Sequence, residues 1–345
     1  MQERMPDRCI AGLRPAVVTF ALAAFAAGFI ALPAAAQEAA ESWETPRLPD
    51  GTPDLSGVWV SDSGTPLERP AYVADRDQWT AEEVATLQER ADRIFDNGRS
   101  AFATADGAFR AAVQDVDTYE AWSTSSSIGM IGFVFDERTS LVIDPPDGRI
   151  PPRRPDGAAR LAEVDRGWNE KLGPEDLSNN HRCITTGVPR LGGNFGAGPY
   201  SYYQIFQTPD HVVFLMEAFH DARIIPIDGR PHVPESVRQW NGDSRGRWEG
   251  DTLVVETTNF SPKSEYQGAA EGLHLVERFT RVAADTLMYH VTLADPTTWE
   301  TPWTAELPLH DRGGDEALFE FACHEGNVSI VGMLRTARLA EEAAR

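Results

Sequence analysis

Along the second half of the chain, apolar and polar positions alternate with a period of two, the spacing that puts successive side chains on opposite faces of a strand. Residues 201–207, the turn Thr208-Pro209-Asp210 and residues 211–218 read as strand, turn and strand, and further turn signals follow at Asp228-Gly229, Glu249-Gly250-Asp251 and Ala283-Ala284-Asp285. From 201 to 309 this predicts a continuous antiparallel meander. Upstream, 55–60 reads as a first strand. The spacing of Val84, Leu87, Ala91 and Ile94 behind Thr80, with Glu83 three residues on, predicts a capped helix over 80–97 that Gly98 ends. Strands are also predicted at 128–135, 141–143 and 149–150, the last after a Pro145-Pro146-Asp147-Gly148 turn. Residues 151–198 read as loop with room for a short helix. The fold class expected is mainly β: an antiparallel meander closing into a barrel, with a helical and loop-rich N-terminal elaboration.

The first 36 residues change the picture of where the chain works. Arg4, Arg8 and Arg14 precede an apolar run over 16–32, and Ala34-Ala35-Ala36 follows it, the layout of a secretory signal with a small-residue cleavage site. With 1–36 removed, 37–345 is expected to be a single domain, periplasmic or secreted, that opens with an extended Pro- and acid-rich arm over 37–54. No membrane insertion is expected after cleavage, because no second run of that kind occurs.

Charge narrows the partners. The chain carries 53 acidic against 31 basic residues, a formal net charge of −22. Losing three arginines and two acids with the signal leaves −23. Such a surface repels phosphate backbones and anionic lipid heads, so nucleic acid is not an expected partner. Cys9 would leave with the signal, and the remaining pair, Cys183 and Cys323, is expected to form a disulfide in an oxidising compartment; the alternative is two buried thiols.

Gly57-Val58-Trp59, opening the first strand, resembles the Gly-x-Trp signature of lipocalins and the wider calycin barrels. The resemblance implies a Trp59 that closes the barrel floor under a basic side chain from a late strand, with Arg278 and Arg281 as candidates. Four longer runs resemble a group of exported bacterial proteins of unassigned chemistry. They are Pro53-Asp54-Leu55-Ser56-Gly57-Val58-Trp59, His220-Asp221-Ala222-Arg223-Ile224-Ile225-Pro226, Gly246-Arg247-Trp248-Glu249-Gly250-Asp251-Thr252-Leu253-Val254-Val255 and Leu275-Val276-Glu277-Arg278-Phe279-Thr280. This second resemblance implies export and kinship only.

Chemistry-bearing residues are dispersed. Gly242-Asp243-Ser244-Arg245-Gly246 matches a Gly-x-Ser-x-Gly elbow, but the strand-like run after it supplies no helix for an oxyanion site, and Ser244 reads as part of a polar loop. Histidine spacing is poor for a metal, so none is expected; His220 and His232 would be the first ligands to test. No glycine pattern for a nucleotide appears, and no cofactor is expected. Strand parity puts His220 on the face of Phe214 and Met216 if the strand runs that far. It puts His274 with Arg278, and Glu277 on the opposite face with Leu275 and Phe279. Candidate catalytic residues are therefore His220 and His274 as bases, with Glu277, Arg223 and Arg278 as carboxylate and oxyanion partners or as an ion-pair network. Phe214, Met216, Tyr203 and Trp240 are the candidate ligand contacts. The leading expectation is binding of a small hydrophobic or aromatic molecule inside the barrel. A cofactor-free acid–base enzyme (isomerase, hydratase or lyase) and a structural envelope protein are the alternatives.

Overall fold

The computed structural model describes residues 43–95, 105–116, 133–185, 187–189, 202–264, 266–311 and 317–345. Its centre is a nearly closed antiparallel barrel. The strands are β1 (Gly57–Val60), β2 (Val142–Asp144), β3 (Tyr202–Gln207), β4 (His211–Met216), β5 (Asp221–Pro226), β6 (Asp243–Glu249), β7 (Thr252–Thr258), β8 (His274–Ala283), β9 (Thr286–Ala294) and β10 (Trp303–Asp311). Nine of them lie in the order β5-β4-β3-β1-β10-β9-β8-β7-β6, and β2 shares the β1 edge of β10.

The expected meander is thus present as two runs, β3 to β5 and β6 to β10, with β1 inserted between β3 and β10. The expectation of one continuous meander fails at a single junction: β5 and β6, consecutive in sequence, face each other across the barrel's seam without a backbone ladder. Side chains close that seam instead. Arg223 Nε donates to Ser244 Oγ at 3.0 Å, and Asn241 Nδ2 donates to Asp221 Oδ2 at 2.7 Å. Farther along, Gly246 lets β5 come close, since a Cβ there would stand 2.8 Å from Ile227 Cγ2 and 3.0 Å from Ile225 Cγ2.

Alternation sorts each strand. Ile205, Val212, Phe214, Ile225, Val255, Leu275, Leu287, Val291 and Leu307 turn inward and are buried. Trp59 is fully buried, donates from Nε1 to Leu55 O at 2.9 Å, and carries the Arg281 guanidinium 5.2 Å from its ring centroid, within cation–π range. Of the two basic candidates it is Arg281, on β8, that covers Trp59. Arg278 faces outward and pairs with Glu249 at 2.9 Å.

The described residues include four α-helices: α1 (Ala81–Phe95), α2 (Ala105–Gln114), α3 (Pro155–Glu170) and α4 (Ser329–Ala343). The predicted helix is α1, and its capping box is made: Thr80 N donates to Glu83 Oε2 at 2.9 Å and Glu83 N to Thr80 Oγ1 at 3.3 Å. Gly98, expected to end it, lies outside the described residues. Leu87, Ala91, Ile94 and Phe95 of α1 pack with Phe109 of α2 and with Phe133 and Phe135 in a second core. The strand expected over 128–135 falls partly outside the described residues. Where it is described, it is a single bridge from Val134 to Ser63 rather than a strand. The pair expected at 149–150 is also not a strand.

The short helix allowed for in the expected loop over 151–198 is α3, which takes Pro155–Glu170. α3 has Pro155 at its first turn but no continuous apolar stripe, because it docks through glycine. A Cβ on Gly157 would fall 2.7 Å from Thr298 Cα. The disulfide Cys183–Cys323 is present, with Cα atoms 5.8 Å apart.

Candidate functional site

Inside the barrel a group of five polar side chains interrupts the apolar lining. Arg223 of β5 and Glu277 of β8 are both buried and form a two-pronged ion pair: Nη1 donates to Oε1 at 3.0 Å, and Nη2 donates to Oε2. Arg223 Nη2 also donates to Thr257 Oγ1 at 2.6 Å, and Thr257 and Ser244 hydroxyls are 3.1 Å apart. Tyr289 on β9 donates its hydroxyl to Glu277 Oε1 at 2.8 Å. Register explains the meeting. Arg223 is opposite Phe214, Glu277 lies between Val255 and Val291, and Ser244 is paired with Thr257, so one inward position from each of five strands converges.

Burial strips water from Tyr289 and sets Glu277 beside it, which together raise its pKa well above the usual phenol value. The Arg223 guanidinium is held protonated: burial alone would lower its pKa, but the charge and hydrogen bonds of Glu277 win and the net shift is upward. The network is therefore an ion pair capped by a neutral phenol, with no net charge.

Against it lies a partly open cavity of about 20 Å3, lined by Val188, Tyr203, Phe214, Met216, Arg223, Glu277, Phe279, Tyr289 and Leu309. That is room for about one ordered water. Phe279 stacks on Tyr289 with centroids 4.7 Å apart and meets Phe214 at 4.8 Å, so three rings form one wall.

The expected site residues divide between this interior and the outer surface. Tyr203, Phe214, Met216, Arg223 and Glu277 are at the cavity. His220 is not. β4 ends at Met216, and the chain then turns through Phe219 and His220, both at positive φ (63° and 52°), which carries the His220 side chain into solvent. Its expected place on the Phe214 face is corrected on that ground. His274, three residues before Glu277, and Arg278, one after it, have the opposite parity and face outward; His274 Nε2 lies 2.7 Å from Glu256 Oε1. Trp240 belongs to the loop before β6 and gives its carbonyl to Ser264 Oγ at 2.6 Å, away from the cavity.

His232 Nδ1 lies 2.8 Å from Asp243 Oδ2, and His310 Nδ1 lies 2.6 Å from Asp62 Oδ1. Both pairs, like that of His274, stand apart from the cavity lining, and no histidine lines it among the described residues. No group of three or more metal-ligating side chains occurs among the described residues, His220 and His232 included.

No protein-family model, curated protein or solved structure matches this chain. The functional reading rests on geometry.

Ser244, Thr257, Tyr289, Phe279, Val188 and Leu309 complete the site without having been singled out for it. Ser244 looked like part of a loop because Asp243, Gly242 and Gly246 surround it, yet it lies in β6 facing inward. The signal available was parity: Thr257 and Tyr289 share the inward face with Val255 and Val291 of their own strands.

Proposed function

We propose that this is an exported protein that binds a small hydrophobic or aromatic molecule inside its barrel, with Tyr203, Phe214, Met216 and Phe279 supplying the apolar contacts and the Arg223–Glu277–Tyr289 network the polar one. The observation that carries the reading is a buried ion pair in the wall of an otherwise apolar cavity. Stability does not account for it, since well-packed hydrophobic residues in place of a buried pair are often neutral or stabilising by about 1–4 kcal/mol. A cavity the size of a water is small for such a ligand. Binding would displace the Met216 side chain, whose unbranched chain repacks readily, and shift Val188 on its loop.

The acid–base alternative is the weaker one, because neither expected base, His220 or His274, reaches the cavity and the Glu277 carboxylate is committed to Arg223. The disulfide agrees with an oxidising compartment, and residues 1–36 supply the reading of export to the periplasm or beyond.

The test is native mass spectrometry of protein purified from its own cell envelope, beside the double variant Arg223→Met/Glu277→Met. A retained small-molecule adduct that the folded double variant lacks is the expected result. A wild-type protein with no adduct, and with no saturation transfer to a mixed set of aromatic fragments in NMR, would sink the proposal.

A further inference from the structure

Resting on that reading, we infer that the ligand is an uncharged apolar or aromatic molecule carrying a hydroxyl or carbonyl oxygen, and that Glu277 is the residue that makes the site reject ions. A guanidinium has five N–H bonds. Arg223 spends one from Nε on Ser244, two from Nη2 on Thr257 and Glu277, and one from Nη1 on Glu277. The fifth, on Nη1, has no partner among the described residues. Because the guanidinium is planar, and Ser244 and Thr257 occupy its Nε–Nη2 edge, this remaining hydrogen lies on the opposite edge. Among the described residues Glu277 Oε2 accepts only from Arg223, so it keeps acceptor capacity of its own.

A hydroxyl or carbonyl oxygen can take the fifth hydrogen, and a hydroxyl can in addition donate to Oε2. Charge decides between this and an ionised group. The positive charge of Arg223 is already matched by Glu277, so an incoming carboxylate would be a second anion beside one arginine. An ammonium would be a second cation beside one carboxylate. Each would lose its hydration in an apolar chamber with nothing left to balance it, a cost that a neutral oxygen avoids.

Benzyl alcohol, benzoate and benzylammonium are nearly isosteric and carry charges of zero, minus one and plus one. Their binding to the oxidised, full mature chain is to be measured by saturation-transfer NMR at pH 7.5 in 0.5 M salt, where the acidic surface is screened. Benzyl alcohol is expected to bind at least tenfold more tightly than either ion. In Glu277→Gln, which leaves Arg223 unmatched, benzoate is expected to overtake benzyl alcohol, with circular dichroism establishing that the variant folds. Should Glu277→Gln not fold, the wild-type comparison decides alone. Benzoate or benzylammonium binding the wild type as well as benzyl alcohol would overturn the inference while leaving an interior binder in place. Binding by none of the three would overturn the binding reading, and the inference with it.

Discussion

At the scale of single residues, Tyr289 shows what the interior demands of a polar group. Its ring is part of the aromatic wall, and its hydroxyl is there only on condition that Glu277 accepts from it. Ionising it would put a second negative charge into a buried chamber. A phenol whose pKa is raised on folding stabilises the native state fully below the unfolded value, about 10, and that contribution is lost as pH rises from there toward the folded value. The unfolding free energy of the wild type in urea titrations is thus expected to fall above pH 10 more steeply than that of Tyr289→Phe, by up to about 1.4 kcal/mol per pH unit. Equal slopes for the two proteins between pH 9 and 11.5 would show that Tyr289 ionises as freely folded as unfolded. Parity made Glu277, Phe214, Met216 and Tyr203 legible in the sequence, because each sits in a regular alternating run. His220 was illegible for the converse reason. Two consecutive non-glycine residues at positive φ break the run, and bulky residues rarely adopt that conformation.

Elements meet here by close approach as much as by apolar stripes. The amphipathic signature of α1 was readable, since it packs Leu87, Ala91 and Ile94 in the usual way. α3 falls where the sequence predicts loop with room for a short helix: it buries Gly157 against the Thr298 backbone, and a glycine leaves no mark in a hydrophobic pattern. The seam follows the same rule. Sequence neighbours β5 and β6 would ordinarily pair, but the long 227–242 connection lets them stand apart, and Gly246 makes the space into which Ile225 and Ile227 fit. A side chain at 246 would push the two strands apart at the one place where no backbone ladder resists. Gly246→Leu is therefore expected to cost about 1–3 kcal/mol in urea unfolding. The same variant should speed amide exchange in β5 and β6 more than in β9, which is paired on both sides. Uniform acceleration over all strands would mean that the seam is no weaker than the rest of the barrel.

Over the whole molecule, the disulfide joins the barrel's seam to its cavity. Cys183 and Cys323 are 140 residues apart in sequence, and both were identifiable as partners from export and cysteine number. What the sequence could not convey is the position of the bridge. Two residues after Cys183, the Thr185 hydroxyl lies 2.8 Å from Asp221 Oδ2 and 3.0 Å from Asn241 Oδ1, its one hydrogen shared between these acceptors across the β5–β6 seam. Three residues farther, Val188 forms part of the cavity wall. On the other side of the bridge, Phe321 packs edge-on against Phe219, and Phe319 N donates to the buried Glu217 at 3.1 Å, so the segment before Cys323 covers the turn that ends β4. Cutting the bridge removes a constraint on a loop of this length worth about 5 kcal/mol in the chain-entropy model, less any native strain. It also frees the two segments locally. Reduction, or the variant Cys183→Ala/Cys323→Ala, is expected to lower the urea midpoint accordingly. In native buffer it should raise amide exchange first at Thr185, Val188 and Asn241, while Val255, Glu277 and Val291 in the ladder of β7 to β9 stay protected. Loss of protection throughout the barrel at the same rate would mean that the bridge holds the whole fold rather than the cavity's edge. No change at Val188 would mean that the loop docks on the seam without help from the bridge.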